Sequence, residues 1–367
     1  MNLDVNGLRL VGRRFGVGRY IEYLLRHWQS LEPPFDRLQL FTPRELDEPI
    51  ELPSFVSHRI DPARSNGYWE QAILARRHRA ADLLFCPSYV APLAARGKVV
   101  VTHLGSYEAL PSAFPLRDRI KTRFLYQASA RRADLVITVS ESSKRDIVSF
   151  YGVSPEKVVV IPLGVDPGFR PLDDPERAAS TRFASLGVDR PLVLFVGKLT
   201  RRRNIPQLVE AFARLKQTHG LSHALLLVGA NTAGHDLRRL AAAADIEADV
   251  FHREFASHDE LVDLYNASDL FVYPSSYEGF GIPVLEAMAC GIPVVTLANS
   301  AFLEFADGAH LCRDASVGEL SAGMGAVLGS QSLRLRLRER GLARSRDFLW
   351  GDIARRTMET LVTVATA

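Results

Sequence analysis

The most specific chemical signal in the sequence is a pair of glutamates eight residues apart. Glu278 lies in a loop flanked by glycines, and Glu286 falls inside a predicted helix over residues 283–289. Glu286 stands in an otherwise apolar run, where burying a carboxylate is costly unless polar groups meet it. A helix that opens beside Gly281 also offers backbone amides to an anion. The segment therefore predicts a site for a polar, anionic ligand.

Two further loops could contact such a ligand, because each joins the end of a predicted strand to the start of a helix. Gly16 and Gly18 belong to a glycine-rich loop after the first strand, which suits close approach of backbone amides to a phosphate. Lys198 and Arg203 follow the predicted strand 191–197 and would face an anion held between two lobes. Two alternatives stay open: a glycine loop that only turns, and a basic loop that is only solvated.

The elements that carry these residues alternate between strand and helix, which predicts two doubly wound parallel sheets. Predicted strands cover 1–5, 37–41, 81–85, 98–102, 134–139 and 157–161 in the first half, and 191–197, 224–229, 269–273 and 293–297 in the second. Predicted helices cover 20–28, 143–150, 205–215, 236–243, 259–266, 283–289 and 333–338, with Ser140 and Ser332 as caps. Ligands of such sheets bind at the carboxyl ends of the strands, where the three loops lie.

A dense run of proline and glycine between residues 162 and 175 separates the two halves. These residues resist both helix and ladder formation, so the run predicts a linker. We expect an N-terminal domain over 1–165 and a C-terminal domain over 166–349, with a last helix at about 350–367 packing back on the first domain.

Composition and charge exclude several classes of protein. With 47% apolar and 24% charged residues in a chain of 367, the sequence is typical of a folded globular protein rather than a disordered or membrane-spanning one. A formal charge of +3 is too small to imply nucleic-acid binding. Cys86, Cys290 and Cys312 lack metal-ligand or disulfide spacing, which predicts buried, reduced thiols. The first residues do not resemble a secretory signal, so we expect a cytoplasmic location.

The segment from Glu278 to Glu286 resembles the E-x7-E signature of the retaining glycosyltransferases of family 4. The resemblance extends over nearly the whole chain, through residues 16–19, 139–141, 161–166 and 264–295. It implies an α/β protein of the GT-B architecture, with two facing Rossmann-like domains, parallel sheets and an interdomain cleft. It also implies a nucleotide-sugar donor bound mainly by the C-terminal domain and an acceptor held mainly by the N-terminal one.

The family's site residues map onto matching positions of this sequence. Glu286 resembles the glutamate that binds the ribose hydroxyls, and Glu278 resembles the one beside the transferred sugar. Lys198 and Arg203 match a cationic pair, although the family's arginine and lysine are exchanged between the two positions. His103 matches a threonine-histidine-aspartate segment in which a leucine replaces the aspartate, and a satisfied core histidine stays an alternative. The implied donor-binding residues are Gly16, Gly18, Gly279, Phe280, Gly281, Ile282 and Glu286.

The implied reaction is retaining transfer of a hexose from GDP-mannose or a UDP-sugar, in cell-envelope polysaccharide or glycoconjugate synthesis. The acceptor would be a glycan, a glycolipid or a small molecule. No D-x-D motif ends an early strand, and cations can stabilise the leaving diphosphate, so we expect neither a metal nor another cofactor. A nucleotide-sugar epimerase of the same architecture is the main alternative. The absent G-x-G-x-x-G fingerprint disfavours a dehydrogenase, and the retained cations and glutamates disfavour a non-catalytic binder.

A basic and partly apolar segment over 114–132 raises one further expectation. Such a surface could rest peripherally on an anionic membrane beside a lipid-carried acceptor. The alternative is an ordinary core-facing helix with a solvated basic face. The residues concerned are Phe114, Leu116, Arg117, Arg119, Ile120, Lys121, Arg123, Phe124, Leu125, Arg131 and Arg132.

Overall fold

The computed structural model describes residues 1–12, 14, 16–31, 34–78, 81–105, 116–187 and 189–367, with the backbone alone for 116–121. The chain divides into two compact units. The first unit comprises Met1–Gly164 and Trp350–Ala367, and the second comprises Val165–Leu349. Each unit has its own parallel sheet and its own set of helices, so the predicted α/β class is confirmed.

Within the described residues, the sheet of the first unit has seven strands, and all of its pairs are parallel. The strands are β1 (Asn2–Asn6), β2 (Arg37–Thr42), β3 (Val56–Ile60), β4 (Leu83–Cys86), β5 (Lys98–His103), β6 (Leu135–Thr138) and β7 (Val158–Val160). Their order is β3-β2-β1-β4-β5-β6-β7. The inner strands β4 and β6 are short apolar runs, because both faces of a parallel sheet are covered, whereas β1 and β2 also carry polar residues.

The first unit also contains α1 (Val17–Trp28), α2 (Leu116–Arg132) and α3 (Glu141–Tyr151). A helical segment over 66–77 is π-helical in its middle, Trp69–Leu74, and short 3-10 turns cover Leu8–Leu10 and Pro155–Lys157. The cap predicted for α3 is confirmed, since Ser140 Oγ accepts a hydrogen bond from the Ser143 amide at 3.0 Å. Gly152 ends this helix in the left-handed conformation, at φ 62°.

Within the part of the second unit that the structure describes, six parallel strands lie in the order β10-β9-β8-β11-β12-β13. They are β8 (Leu192–Val196), β9 (Ala224–Val228), β10 (Val250–Arg253), β11 (Leu270–Tyr273), β12 (Val294–Leu297) and β13 (His310–Cys312). The helices are α4 (Pro175–Leu186), α5 (Ile205–His219), α6 (Leu237–Ala242), α7 (His258–Asn266), α8 (Ile282–Ala289), α9 (Phe302–Phe305), α10 (Val317–Gly329) and α11 (Gln331–Ser345), with 3-10 turns at Arg201–Arg203 and Ala306–Gly308.

Two predictions in the second unit have different outcomes. The proline- and glycine-rich run that begins at residue 162 contains no helix before α4 begins at Pro175. Its one β-interaction is an isolated bridge at Val165. The helix predicted over 333–338 is confirmed, but its predicted cap is wrong. The helix begins two residues earlier, and Ser330 rather than Ser332 accepts the hydrogen bond from the Leu333 amide, at 3.2 Å.

The C-terminal helix, α12 (Trp350–Thr366), packs within the first unit. Trp350 stacks on Tyr23 with ring centroids 4.9 Å apart. The Trp28 indole nitrogen donates a hydrogen bond to the Ala354 carbonyl at 3.0 Å. A Cβ at Gly164 would lie 2.7 Å from the Trp350 ring, so this contact requires glycine. Among the helices that the structure describes, none is long and apolar enough to cross a membrane.

Candidate functional site

Glu278 lies in a dense polar cluster of the second unit. It follows β11 in the loop before α8, and it is only 4% exposed. Its Oε1 accepts hydrogen bonds from the Tyr273 hydroxyl at 3.0 Å and from the Ser275 hydroxyl at 2.9 Å. The same oxygen accepts a hydrogen bond from the Arg202 guanidinium, and Arg203 Nε lies 3.4 Å away. Groups from two loops therefore hold the carboxylate in one orientation.

The two arginines keep Glu278 ionised. Burial on its own raises the pKa of this carboxyl, but Arg202 and Arg203 outweigh that effect and hold the pKa below its ordinary value. Arg203 is among the residues predicted from the sequence, whereas Arg202 is not. Arg202 also donates to Ser275 Oγ at 3.2 Å and to the Tyr277 carbonyl at 3.1 Å. The signal that could have found Arg202 is the run of three arginines in this loop.

The two predicted cations occupy different surroundings. Arg203 is 9% exposed, donates to the Lys198 carbonyl at 3.0 Å and lies 5.1 Å from the centre of the Tyr273 ring. The Lys198 side chain is exposed. Gly197, at φ 143°, makes room for the arginine, because a Cβ there would lie 1.9 Å from Arg203 Nη1. The structure therefore brings Arg203 directly to Glu278.

Glu286 lies in α8, where it is buried with a tyrosine hydroxyl as partner. Tyr265, on α7, donates a hydrogen bond to Glu286 Oε2 at 2.9 Å, and its oxygen lies 3.3 Å from the Pro283 carbonyl. Burial and the Glu286 carboxylate raise the pKa of Tyr265 well above its ordinary value, so the hydroxyl stays protonated and donates. Tyr265 is a second residue of the site that was not predicted from the sequence.

The segment between the two glutamates fixes the start of α8. Gly279, Phe280 and Gly281 are buried, and Ile282 opens the helix. Gly281 has φ 106°, and a Cβ there would lie 2.4 Å from the Phe302 ring, so this position requires glycine. The Phe280 ring stacks on Phe305 with centroids 4.8 Å apart, which directs the side chain into the core. What this segment offers a ligand is its backbone and the positive end of a helix.

Two residues in the left-handed conformation tie the loops of this cluster together. Asn204 has φ 50° and Ser300 has φ 42°. Asn204 Nδ2 donates to the Pro274 carbonyl at 2.7 Å, and Ser300 Oγ accepts from the Glu278 amide at 3.1 Å. Such backbone costs about 1–3 kcal/mol per residue and concentrates where the surrounding structure must hold a functional geometry. Both residues therefore mark the Glu278 cluster as a constrained site.

Gly16 and Gly18, in the first unit, lie at the start of α1. Gly16 precedes the helix at φ 46°. Gly18 is buried, and a Cβ there would lie 2.7 Å from the Arg9 carbonyl. Arg13 and Phe15 of the same loop lie outside the described residues. Backbone geometry alone accounts for both glycines, so the alternative of a purely structural loop stays open.

His103 ends β5 and is completely buried. Its ring packs against Tyr89, Tyr126 and Tyr151, at centroid distances of 5.4, 5.8 and 5.4 Å. Within the part of the chain that the structure describes, neither ring nitrogen has a hydrogen-bond partner. Burial lowers the pKa of His103 to about 3, so the imidazole is neutral at physiological pH. The alternative of a core histidine stays open.

The basic segment of α2 is described only in part. Phe114 and the side chains of Leu116, Arg117, Arg119, Ile120 and Lys121 lie outside the described residues. Phe124 is 69% exposed, beside an exposed Arg123. Arg131 and Arg132 donate to main-chain carbonyls, at 2.9 Å to Tyr151 and at 2.9 Å to Gly97. These two arginines therefore anchor the helix to its own unit.

The remaining predictions concern metal and cysteine. Among the described residues, no group of three or more histidine, cysteine, aspartate or glutamate side chains could hold a metal ion. Asp174, in the predicted linker, caps α4 by accepting a hydrogen bond from the Arg177 amide at 2.9 Å. Cys86, Cys290 and Cys312 are buried and form no disulfide, as predicted.

Comparison with known families places the chain among the glycosyltransferases of the GT-B class. The model described as "Glycosyl transferases group 1" matches residues 178–344, and the model described as "Glycosyltransferase Family 4" matches residues 16–169. Together the two matches span most of both units. The chain belongs to the family 4 glycosyltransferases, which confirms the resemblance carried by the spacing of the two glutamates.

Several curated relatives share about a third of their aligned residues with this chain. The chain is 29% identical over 276 residues to O-antigen chain mannosyltransferase B of Escherichia coli, covering 74% of this chain and 72% of the relative. It is 32% identical to D-inositol 3-phosphate glycosyltransferase of Kineococcus radiotolerans, covering 64% and 58%. It is 33% identical to MMP alpha-(1->4)-mannosyltransferase of Mycolicibacterium hassiacum, covering 62% and 54%. The chain thus spans only a little over half the length of the last two relatives.

Solved structures agree with the fold over nearly the whole chain. Anabaena Alr3699/HepE in complex with UDP-glucose matches with a TM-score of 0.80 at 18% identity, covering 99% of this chain and 100% of that one. WaaG, a glycosyltransferase involved in lipopolysaccharide biosynthesis, matches with a TM-score of 0.75 at 18% identity, covering 98% and 99%. These matches confirm the predicted GT-B fold class.

Proposed function

We propose that this protein is a retaining hexosyltransferase that takes GDP-mannose or a UDP-sugar as its donor. The observation that carries the proposal is the pair Glu278 and Glu286 on either side of the start of α8, one ionised by two arginines and the other bound by a tyrosine. Mannosyltransferases among the relatives support GDP-mannose. A protein of the same fold was solved with UDP-glucose, which makes a UDP-sugar the second candidate.

In this proposal the second unit binds the donor. Glu286 accepts hydrogen bonds from the two ribose hydroxyls, and Tyr265 keeps its carboxylate oriented. Hydrogen bonds to a charged acceptor are worth about 1.5–3 kcal/mol each, so this contact contributes a large share of donor affinity. Glu278 lies beside the transferred sugar, whose hydroxyls meet the backbone amides of residues 279–282.

The cations act on the leaving group. Cleavage of the bond between sugar and phosphate adds about one negative charge to the diphosphate, and a preorganised cation stabilises that charge as it develops. A cation about 4 Å away contributes on the order of 4 kcal/mol at an effective dielectric constant of 20. Lys198 and Arg203 supply this stabilisation without a metal ion, and Arg203 reaches the phosphate from its place beside Glu278.

The bond to the acceptor forms on the face of the sugar that the diphosphate leaves. The acceptor oxygen attacks the anomeric carbon, the bond to the phosphate oxygen breaks, and the acceptor proton passes to the leaving phosphate. His103 is neutral, with a pKa of about 3, and is therefore a poor base. It serves as a hydrogen-bonding group toward the donor sugar or the diphosphate. Gly16 and Gly18 bring backbone amides to the same donor.

The acceptor is a glycan, a glycolipid or a small molecule held by the first unit. An O-antigen chain mannosyltransferase among the relatives supports a place in cell-envelope polysaccharide or glycoconjugate synthesis. Peripheral contact of α2 with the membrane would bring the enzyme to a lipid-linked acceptor. The exposed Phe124 and Arg123 on this helix support that contact.

The proposal is tested by thermal shift against a panel of nucleotide sugars in the presence of EDTA. We expect GDP-mannose or one UDP-sugar to raise the melting temperature, whereas a panel without any effect would overturn the assignment. Incubation of the stabilising donor alone then separates the two reaction classes. A transferase leaves the sugar's configuration unchanged, and recovery of an isomerised nucleotide sugar would identify an epimerase.

A further inference from the structure

The two arginines beside Glu278 contact its carboxylate in different ways. Arg202 donates a hydrogen bond to Glu278 Oε1, the oxygen that the Tyr273 and Ser275 hydroxyls also bind. Arg203 Nε lies 3.4 Å from the same oxygen. Within the part of the chain that the structure describes, this buried Nε has no hydrogen-bond partner. One guanidinium is therefore committed to the carboxylate, whereas the other keeps an unsatisfied donor beside it.

Arg202 is fixed by the loop that carries Glu278. Its guanidinium donates to Ser275 Oγ at 3.2 Å and to the Tyr277 carbonyl at 3.1 Å. Its own carbonyl accepts a hydrogen bond from the Ser276 amide at 2.8 Å. The side chain is only 15% exposed. These contacts place the guanidinium against the carboxylate before a ligand binds.

Arg203 has surroundings that attract a cation without neutralising its charge. Its Nη1 donates to the Lys198 carbonyl at 3.0 Å, and its guanidinium carbon lies 5.1 Å from the centre of the Tyr273 ring. Burial raises the pKa of Tyr273 well above its ordinary value, so this hydroxyl stays neutral. The carboxylate of Glu278 is already hydrogen-bonded to Arg202. Two guanidinium charges against one carboxylate therefore leave these three side chains with a net positive charge.

Arg202 is also the main electrostatic partner of Glu278. Burial raises the pKa of this carboxyl, and Arg202 lowers it more than Arg203 or the hydroxyls of Ser275 and Tyr273 do. A buried carboxylate that loses its main counter-ion depends on the next cation, which here is Arg203. A cation paired with a carboxylate at contact distance has little net charge left for a second anion. Loss of Arg202 would therefore weaken the field that Arg203 presents to a ligand.

We propose that Arg202 is a positioning residue, which serves as the counter-ion of Glu278 and so keeps the Arg203 charge available for the leaving diphosphate. The inference rests on the proposed function, in which Arg203 stabilises the negative charge that develops as the bond between sugar and phosphate breaks. It assigns different roles to two adjacent arginines. Arg203 acts on the donor, and Arg202 acts through Glu278.

The role of Arg202 is tested first by the kinetics of nucleoside diphosphate release from GDP-mannose and UDP-glucose with methyl glycosides as acceptors. Each variant is assayed well below its melting temperature. Arg202→Gln removes the charge, so kcat should fall about tenfold or more, with a change in donor KM below about threefold. Arg202→Lys restores a charge and should recover about a third or more of the wild-type kcat. Arg201→Gln is the matched control, because the Arg201 side chain is exposed, and should leave both constants unchanged.

A double-mutant cycle with Glu278 separates a counter-ion from a structural arginine. In the Glu278→Gln background no carboxylate competes for Arg203, so adding Arg202→Gln should change kcat by less than about twofold. The same loss of kcat in both backgrounds would show that Arg202 acts independently of Glu278, and would overturn the proposal. Wild-type kcat in Arg202→Gln, or a loss confined to the donor KM, would overturn it as well.

An NMR titration of the Glu278 carboxyl carbon tests the ion pair without relying on activity. The signal is assigned by its absence from Glu278→Gln. It should titrate at higher pH in Arg202→Gln than in the wild type, because burial then acts against fewer positive charges, whereas Arg201→Gln should match the wild type. Equal midpoints in Arg202→Gln and the wild type would overturn the counter-ion role. Binding of GDP and UDP is measured by calorimetry on the same samples, so failure of the proposed function would appear as absent nucleotide binding with the titration difference intact.

Discussion

Replacing Arg202 by alanine should destabilise the second unit far more than replacing its neighbour Arg201. Arg202 donates hydrogen bonds to Ser275, Tyr277 and the buried Glu278, whereas the Arg201 side chain is exposed. Removing one partner of a buried ion pair costs about 3–5 kcal/mol. Because Arg203 stays beside the carboxylate, we expect the lower end of this range, about 3 kcal/mol. Arg201→Ala should stay within about 0.5 kcal/mol of the wild type.

The expected shift is large enough for calorimetry. In a unit of this size, 1 kcal/mol changes the melting temperature by about 2–4 °C, so Arg202→Ala should lower it by about 6–12 °C. The difference in melting temperature between Arg202→Ala and the wild type should depend on pH. Glu278 has a pKa below its ordinary value of 4.5, so its ion pair stabilises the fold above pH 4.5 and is lost as pH falls through the lowered pKa.

The calorimetric comparison should therefore show the largest gap between wild type and Arg202→Ala near neutral pH and a smaller gap in acid. In acid Glu278 is protonated in both proteins, so Arg202 of the wild type no longer has a buried carboxylate to stabilise. Equal melting temperatures for Arg202→Ala and Arg201→Ala at pH 7 would refute the assignment of Arg202 to a buried cluster. A gap that widens toward low pH would refute the electrostatic explanation.

Three further predictions concern ligands. Glu286→Ala should weaken nucleotide binding, measured by calorimetry, at least tenfold. Tyr265→Phe should weaken it less, because Glu286 keeps its charge. Unchanged nucleotide affinity in folded Glu286→Ala would remove this residue from the donor site. Lys198→Ala and Arg203→Ala should lower turnover by orders of magnitude with a smaller change in donor affinity, since both cations stabilise charge that develops in the transition state. Near-normal kcat in both variants would remove these cations from the stabilisation of the leaving group. Co-sedimentation with anionic liposomes should detect binding that weakens with salt, and no binding at low salt would exclude membrane contact.

The strands that the sequence misses share a place in the sheet, although one edge strand, the apolar β7, was predicted. β8 and β9 are continuous apolar runs because inner strands of a parallel sheet are buried on both faces. The three missed strands, β3, β10 and β13, all lie at sheet edges. Edge strands are only partly covered and carry polar residues, such as Ser57 and Arg59 in β3. Their sequences therefore lack the apolar signal on which the predictions depend.

In the candidate site, too, local sequence features predict some residues and miss others. Glu278 and Glu286 could be found because their spacing and the surrounding glycines are local features of the sequence. Their partners could not, since Arg202 is 76 residues from Glu278, and Tyr265 is 21 residues from Glu286 on another helix. Such pairs are determined by the order of strands in the sheet, which brings together loops that are distant in the chain.

The same reasoning applies to Glu70, a buried carboxyl of the first unit that is only 6% exposed. Glu70 and Asn6 are 64 residues apart, and the contact between them depends on a π-helical stretch that no local pattern in the sequence predicts. Burial rather than residue type gives Glu70 its raised pKa. The donor-site signature could therefore be found from the sequence, whereas the buried Glu70 carboxyl could not.

The central claim, retaining transfer of a hexose from a nucleotide sugar, is tested most directly by the anomeric configuration of the product. The enzyme is incubated in EDTA with GDP-mannose or UDP-glucose and a panel of methyl glycosides as acceptors. The one-bond C–H coupling at the new anomeric centre is then measured by NMR. We predict release of the nucleoside diphosphate and an α-linked product, the configuration of the donor. A β-linked product, or nucleotide release that requires an added divalent metal, would contradict the account.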